Sequence, residues 1–175
     1  MKLYIIGSVV SGKTTVAKRL SEATNIRYTM LDEIVHEPDE SSVWGNRKRP
    51  AKECDRLFSQ ILQQEKWIIE DVCRPCFSEG LEQADAIVLL ELPLRVRIYR
   101  IFLRWIKQRF GIERSLYRPS YKMLKRMLGW AKNYDSGKGE LLDRIKPYQD
   151  KLVILHSQKE IDEFISEAKV KLQIK

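Results

Sequence analysis

Apolar residues follow two patterns along the chain: short unbroken runs, and longer stretches in which they recur every third or fourth position. Lys2 to Ile6 is the first run and ends at a glycine. Ile26 to Leu31, Trp67 to Glu70, Ala86 to Glu91 and Leu152 to Leu155 are the others. Unbroken runs of this length suit strands covered on both faces, as in a parallel sheet. Between them, Val16, Ala17, Leu20 and Ala23 share one face of a helix over Gly12–Ala23. Leu57, Phe58, Ile61 and Leu62 do the same in a helix whose first turn Pro50 suits. Two basic amphipathic helices are expected at about 94–109 and 120–133, joined around Gly111 and Pro119. A short helix follows at 139–146, and a last one from Glu160 to Val170 turns Ile161, Phe164, Ile165 and Ala168 inward. Residues 37–49, with Pro38 and Gly45, read as a loop. Strands alternating with helices predict an α/β fold with helices on both sheet faces. With no repeat and no linker, residues 1–175 form a single domain.

Composition adds bounds. A chain of 175 residues is long enough to bury a core without disulfide or metal staples. No apolar run approaches the ~20 residues of a membrane helix. Leu3 to Ile6 is too short for a secretory leader and runs into Gly7 and Lys13. The expected setting is cytoplasmic, without a membrane partner. Three cysteines, Cys54, Cys73 and Cys76, argue against a disulfide framework. Cys73 and Cys76 have Cys-x-x-Cys spacing, yet zinc would need a second ligand pair, and His36 and His156 stand alone in sequence. A redox pair should open a helix after the first strand. Incidental thiols are the preferred reading.

Charge is uneven. Between Arg95 and Lys132 lie twelve Lys or Arg and one acid, Glu113, so the rest of a chain of net charge +8 is slightly negative. Arg97, Arg100, Arg104 and Lys107 recur at steps of three, four and three, which sets them on one helix face. A solvated face is the ordinary explanation. With almost no acids nearby, however, the mutual repulsion calls for an anionic partner.

The most specific signal is Gly7-Ser8-Val9-Val10-Ser11-Gly12-Lys13-Thr14, a full match to G-x-x-x-x-G-K-[ST] between a strand and a helix. Glycines let consecutive N–H groups curl inward around a phosphate, and the helix start adds unpaired N–H groups and the positive end of its dipole. Lys13 then reaches the β- and γ-phosphates of ATP, Thr14 offers a hydroxyl to Mg²⁺, and Thr15 stands next in the helix's first turn.

This loop, with Leu31-Asp32 closing the second strand and Trp67-Ile68-Ile69-Glu70 followed four residues on by Arg74, resembles the adenylate-kinase-like P-loop kinases. Within them the chain is most similar to the DNA topology modulation proteins (FlaR-type), over nearly its whole length. The resemblance implies a three-layer α/β/α P-loop NTPase fold, a parallel sheet in the order 2-3-1-4-5, and a basic helical lid at about 94–133. It implies a monomer or homodimer that uses ATP and Mg²⁺ on a small-molecule acceptor. It further implies that Asp32 holds the acceptor hydroxyl or supports the metal, and that Glu70 orients Mg²⁺ through water. Arg74 would grip an acceptor phosphate, Arg100 and Arg104 would clamp ATP and the moving phosphoryl, and Ser157 and Gln158 would lie near the adenine.

Alternatives stand beside these roles. Asp32 could cap a helix beginning near Glu33, and Asp71 could replace Glu70 on the metal side. His36 reads as a plain loop histidine, and Trp44 as a core residue or a base-stacking one. Many relatives have glycine where this chain has Val10, a residue poorly suited to φ > 0, so a loop that binds ATP without turnover is a further reading. The leading function is a nucleoside- or nucleotide-kinase-like phosphotransferase. The alternative is a nucleic-acid-binding, DNA-topology-related ATPase that uses the basic 95–132 segment, with Trp105, Tyr117, Tyr121 and Trp130 as stacking platforms.

Overall fold

In the computed structural model, which describes residues 1–113 and 119–173, five strands form one parallel sheet. They are β1 (Lys2–Gly7), β2 (Tyr28–Met30), β5 (Trp67–Asp71), β6 (Ala86–Leu90) and β7 (Leu152–Leu155), in the order β2-β5-β1-β6-β7. Counting only these strands, that is the expected 2-3-1-4-5. Two short strands between them, β3 (His36–Pro38) and β4 (Asn46–Lys48), pair antiparallel as a separate hairpin. The segment expected to be a loop is therefore partly ordered.

Register follows from burial. Tyr4, Ile5 and Ile6 of the central strand are fully buried, with alternate side chains entering opposite layers. Tyr4 and Ile6 join Phe58, Ile61, Trp67 and Phe77 on one face, beneath α3 (Ala51–Leu62) and α4 (Ser78–Gln83). Leu3 and Ile5 join Val16, Leu20, Ile161 and Ile165 on the other, beneath α1 (Lys13–Thr24) and α8 (Gln158–Gln173). Three layers result.

A third cluster lies outside the sheet. Helices α5 (Leu94–Arg109) and α6 (Tyr121–Ser136) bury Ile101, Met123, Leu124, Met127 and Ala131 between them, with Val9, Val10 and Trp44 packed against the group. The two helices thus rest on the loop after β1. A buried arginine joins them: Arg97 donates from Nε to the Leu92 carbonyl (3.0 Å) and from Nη1 to the Ala131 carbonyl (2.8 Å). Its Nη2 pairs with Asp135 at 2.5 Å, and its guanidinium lies over the Tyr134 ring. Arg97 is only 2 % exposed, so the stripe inferred from spacing divides. One member is spent between α5 and α6, while Arg100 and Arg104 stay partly exposed.

Other boundaries moved. The second strand stops at Met30, and Leu31–Val35 forms a short helix, α2. Asp32 lies within its first turn, so it is not the cap: the N-cap is Met30. Helix α7 (Lys138–Ile145) leads through a 3-10 turn over Lys146–Lys151 into β7. Among the described residues no helix is long and apolar enough to cross a membrane.

Candidate active site

The loop from Gly7 to Thr14 sits at the carboxyl end of β1, the central strand, where open α/β sheets place their ligands. Its backbone has positive φ at three points, of which Gly7 has φ +153°. Gly12, the N-cap of α1, has φ +103°, and Val10 has φ +56°. That conformation is costly for a β-branched residue, and the apolar contacts Val10 makes with the α5–α6 cluster offset part of the cost. The loop has no room for extra carbon. A Cβ on Gly7 would lie 2.8 Å from both the Leu90 carbonyl oxygen and Ser11 Oγ. Gly7→Ala should therefore cost about 2 kcal/mol of stability and distort the loop. A denaturant midpoint unchanged from wild type would contradict that packing.

Lys13 enters α1 at its first position, and its side chain folds back over the loop. Nζ donates to the carbonyls of Ser8 (2.8 Å) and Gly7 (3.2 Å), and the residue is 8 % exposed. Burial pushes its pKa down, while the nearby Glu70, Asp32 and Asp71 carboxylates raise it and Arg104 lowers it. Thr14 Oγ1 donates to Glu70 Oε1 at 2.7 Å. Burial raises the Glu70 pKa, against the opposing pull of Lys13 and the Thr14 hydrogen bond. Thr15 is exposed, while Ser8 and Ser11 are buried, and Ser11 Oγ finds no partner among the described residues. A tight cradle, an unsatisfied hydroxyl and a buried ammonium hydrogen-bonded, among the described residues, to two carbonyls fit the triphosphate of a nucleotide. The Thr14–Glu70 pair supplies oxygen donors of the hard kind Mg²⁺ takes beside phosphates and water.

From the lid, Arg100 Nη1 donates to the Ser11 carbonyl (2.9 Å) and Nη2 to Gln158 Oε1 (3.3 Å). Arg104 Nε lies 3.1 Å from a Glu113 carboxylate oxygen, an ion pair not aligned as a hydrogen bond. Arg100 thus touches the phosphate loop, and Arg104 is near enough to Lys13 to lower its pKa. Trp44, at the tip of the β3–β4 hairpin, is stacked by Arg126 (4.7 Å) and Lys122 (5.2 Å) of α6. It ties the hairpin to α6 and lies partly buried against the α5–α6 cluster. His36 sits in β3 opposite Lys48.

After β5, Arg74 pairs with both Asp71 and Asp32, and its backbone N–H donates to Asp71 at 2.5 Å. The two carboxylates raise the Arg74 pKa against burial, which lowers it. Asp71 is thereby tied to Arg74, and Glu70 to Thr14. Ser157 caps α8: its Oγ accepts from the Glu160 N–H (3.2 Å) and donates to Glu160 Oε1 (2.8 Å), while Glu160 Oε2 takes the His156 N–H. The spacing is that of a capping box, with the Glu160 carboxylate reaching one residue further back, to the N–H before the cap. Gln158 reaches the site only through Arg100.

One contributor went unnoticed in the sequence. Arg144 of α7 donates to the Cys73 carbonyl at 3.0 Å and shares with Arg74, Ser78 and Tyr148 a cavity of about 150 Å³. Nothing in its local pattern separates it from the other lysines and arginines of that stretch. The Cys-x-x-Cys pair splits, with Cys73 buried at φ +67° and Cys76 exposed. Burial pushes the Cys73 thiol up to about 11. A folded-state thiol pKa above the unfolded one favours folding only while the thiol is protonated, so that share of stability falls as pH rises from the ordinary thiol range through about 11. Cys73→Ser should flatten this slope. Native protein at neutral pH should take one alkyl group, at Cys76, and rapid labelling of all three cysteines would contradict the burial of Cys54 and Cys73.

This topology and loop define a P-loop α/β fold. The chain is similar to the solved structure of a gluconokinase from Sinorhizobium meliloti, with TM-score 0.51, 15 % identity, and 98 % of this chain and 91 % of that one covered. It is similar to shikimate kinases from Bacteroides thetaiotaomicron (TM-score 0.52, 14 % identity, 98 % and 97 % covered) and Aquifex aeolicus (0.51, 18 %, 99 % and 96 %). At these identities the likeness is one of fold. No protein-family model and no curated protein matches the chain.

Proposed function

We propose that the chain is an ATP-dependent phosphotransferase that moves the γ-phosphoryl of Mg·ATP to a hydroxyl of a small acceptor. The observation that carries this reading is the buried Lys13 ammonium, held by two carbonyls of its own loop beside the Thr14–Glu70 pair. The P-loop kinases that share its fold support the class.

Phosphoryl transfer asks the protein for position and charge, with little covalent work. The loop amides and the start of α1 would hold the β-phosphate, and Lys13 would leave its carbonyls to bridge the β- and γ-oxygens. Thr14 and Glu70 would hold Mg²⁺, which neutralises charge on the phosphates when bound. Arg100 and Arg104 would close from the lid onto the leaving group and the moving phosphoryl. Asp32 would accept the acceptor hydroxyl's hydrogen bond. Arg74 faces it and is already neutralised by two carboxylates, so it acts by orienting Asp32 rather than by gripping an acceptor phosphate. That favours acceptors with a free hydroxyl over phosphorylated ones.

The resemblance to DNA topology modulation proteins (FlaR-type) rests on the sequence motifs alone. Of the residues a nucleic-acid platform would use, Arg97 is buried and Trp105 packs on Tyr121 with ring centroids 5.1 Å apart, while Tyr121 and Trp130 are exposed; Tyr117 lies outside the described residues, and the fold shared with small-molecule kinases favours the phosphotransferase. The test is ADP release across nucleosides, nucleotides, sugars and other hydroxyl compounds, with Lys13→Ala as control. Acceptor-dependent ADP that vanishes in the control supports the reading. Failure of every acceptor, with ATP still bound, would favour a loop made unproductive by Val10.

A further inference from the structure

The lid has an outer face that the proposed reaction does not use. On α5, Tyr99 is 66 % exposed, with Phe102, Leu103 and Ile106 exposed after it, and Phe110, which caps its end, is 76 % exposed. Steps of three and four place these five on one stripe, about 17 Å long at 1.5 Å per residue. At 100° per residue, Lys107 falls on one margin of the stripe and Arg109 on the other; both are exposed, and Arg95 extends the charge at the helix start. Glu113, the one acid of this segment, is turned to Arg104. Beyond Gly111 the exposed Ile112 continues the apolar line.

From this arrangement we propose that the outer face of α5 docks on an anionic lipid surface, lying in the plane of the headgroups. A convex, single-helix face with an apolar centre and cations on both edges has the geometry of an interfacial amphipathic helix. Its charge complements the cytoplasmic leaflet of a membrane. Three rings, Tyr99, Phe102 and Phe110, stand on this face, but the aliphatic Leu103 and Ile106 between them interrupt any run of stacking platforms and suit acyl chains better than a single strand. A second copy docked through the same stripe would bring two strongly basic lids together, with repulsion at the contact. The inward face of the same helix carries Arg100 to the phosphate loop, so docking would hold one wall of that site against the bilayer.

The test is co-sedimentation of the full chain with vesicles of phosphatidylcholine alone and of phosphatidylcholine with phosphatidylserine. The expected result is binding to the anionic vesicles only, weakened by added salt. It should fall at least about tenfold in the double variant Tyr99→Ser/Phe110→Ser and in Lys107→Glu/Arg109→Glu. Those positions are exposed and outside the phosphate site, so the variants' melting temperatures and ATP binding should match wild type, which separates loss of docking from loss of fold or of the kinase site. No vesicle binding at low salt would overturn the proposal, as would equal binding to neutral vesicles. It would equally be overturned by oligonucleotide binding, or by dimerisation, that disappears in the Tyr99→Ser/Phe110→Ser variant without any vesicle binding.

Discussion

Lys13→Ala is expected to lower ATP-dependent turnover by at least about a hundredfold, the loss typical of removing one preorganised charge from a developing oxyanion. The same substitution should leave the empty protein as stable as wild type or slightly more so, because a buried ammonium is costly. Burial dominates the Lys13 pKa and pushes it down; the neighbouring carboxylates only partly restore it. The present partners of Nζ are two carbonyls, neither of which carries a formal charge. An anion entering the loop would supply what burial withheld. In wild type, then, ATP should raise the melting temperature in a concentration-dependent way, as ligand linkage requires, and in Lys13→Ala that rise should vanish. A variant with unchanged turnover, or with an unchanged thermal response to ATP, would contradict the assignment.

The second large effect separates two arginines three residues apart. Arg97→Ala should destabilise the protein by about 3 kcal/mol, since it removes hydrogen bonds to two carbonyls and breaks a contact between buried guanidinium and Asp135. Its effect on turnover should follow from lid loosening and be partly recovered at low temperature. Arg100→Ala should change stability by less than about 1 kcal/mol while lowering turnover about a hundredfold. Arg100 touches the loop through one hydrogen bond to the Ser11 carbonyl and is half-buried. Urea denaturation and steady-state kinetics on both variants check the contrast. Equal losses of stability would show that the two side chains do the same structural work.

That contrast also marks how far the sequence could be read. The phosphate loop was legible because its geometry depends on glycines at fixed offsets, and the five sheet strands because burial on both faces leaves unbroken apolar runs. Spacing alone placed Arg97 and Arg100 on one stripe. Which of them is buried depends on where α6 packs, and the Ala131 carbonyl and Asp135 that bind Arg97 lie more than thirty residues away. The β3–β4 hairpin was missed because its strands are three residues each and largely polar, and α4 because Ser78–Gln83 is a single polar turn and a half. The pairing of Arg74 with Asp32, forty-two residues distant, has no local signature. Ser157 is different. Its spacing to Glu160 is a capping-box signal, which the expected helix start at Glu160 leaves unused.

The most direct measurement is a crystal structure grown with magnesium and a non-hydrolysable ATP analogue. A β-phosphate seated inside residues 7–14, with Lys13 Nζ moved from the Ser8 carbonyl onto the phosphate oxygens, is the expected result. An analogue bound elsewhere, with the loop still closed on its own lysine, would contradict it.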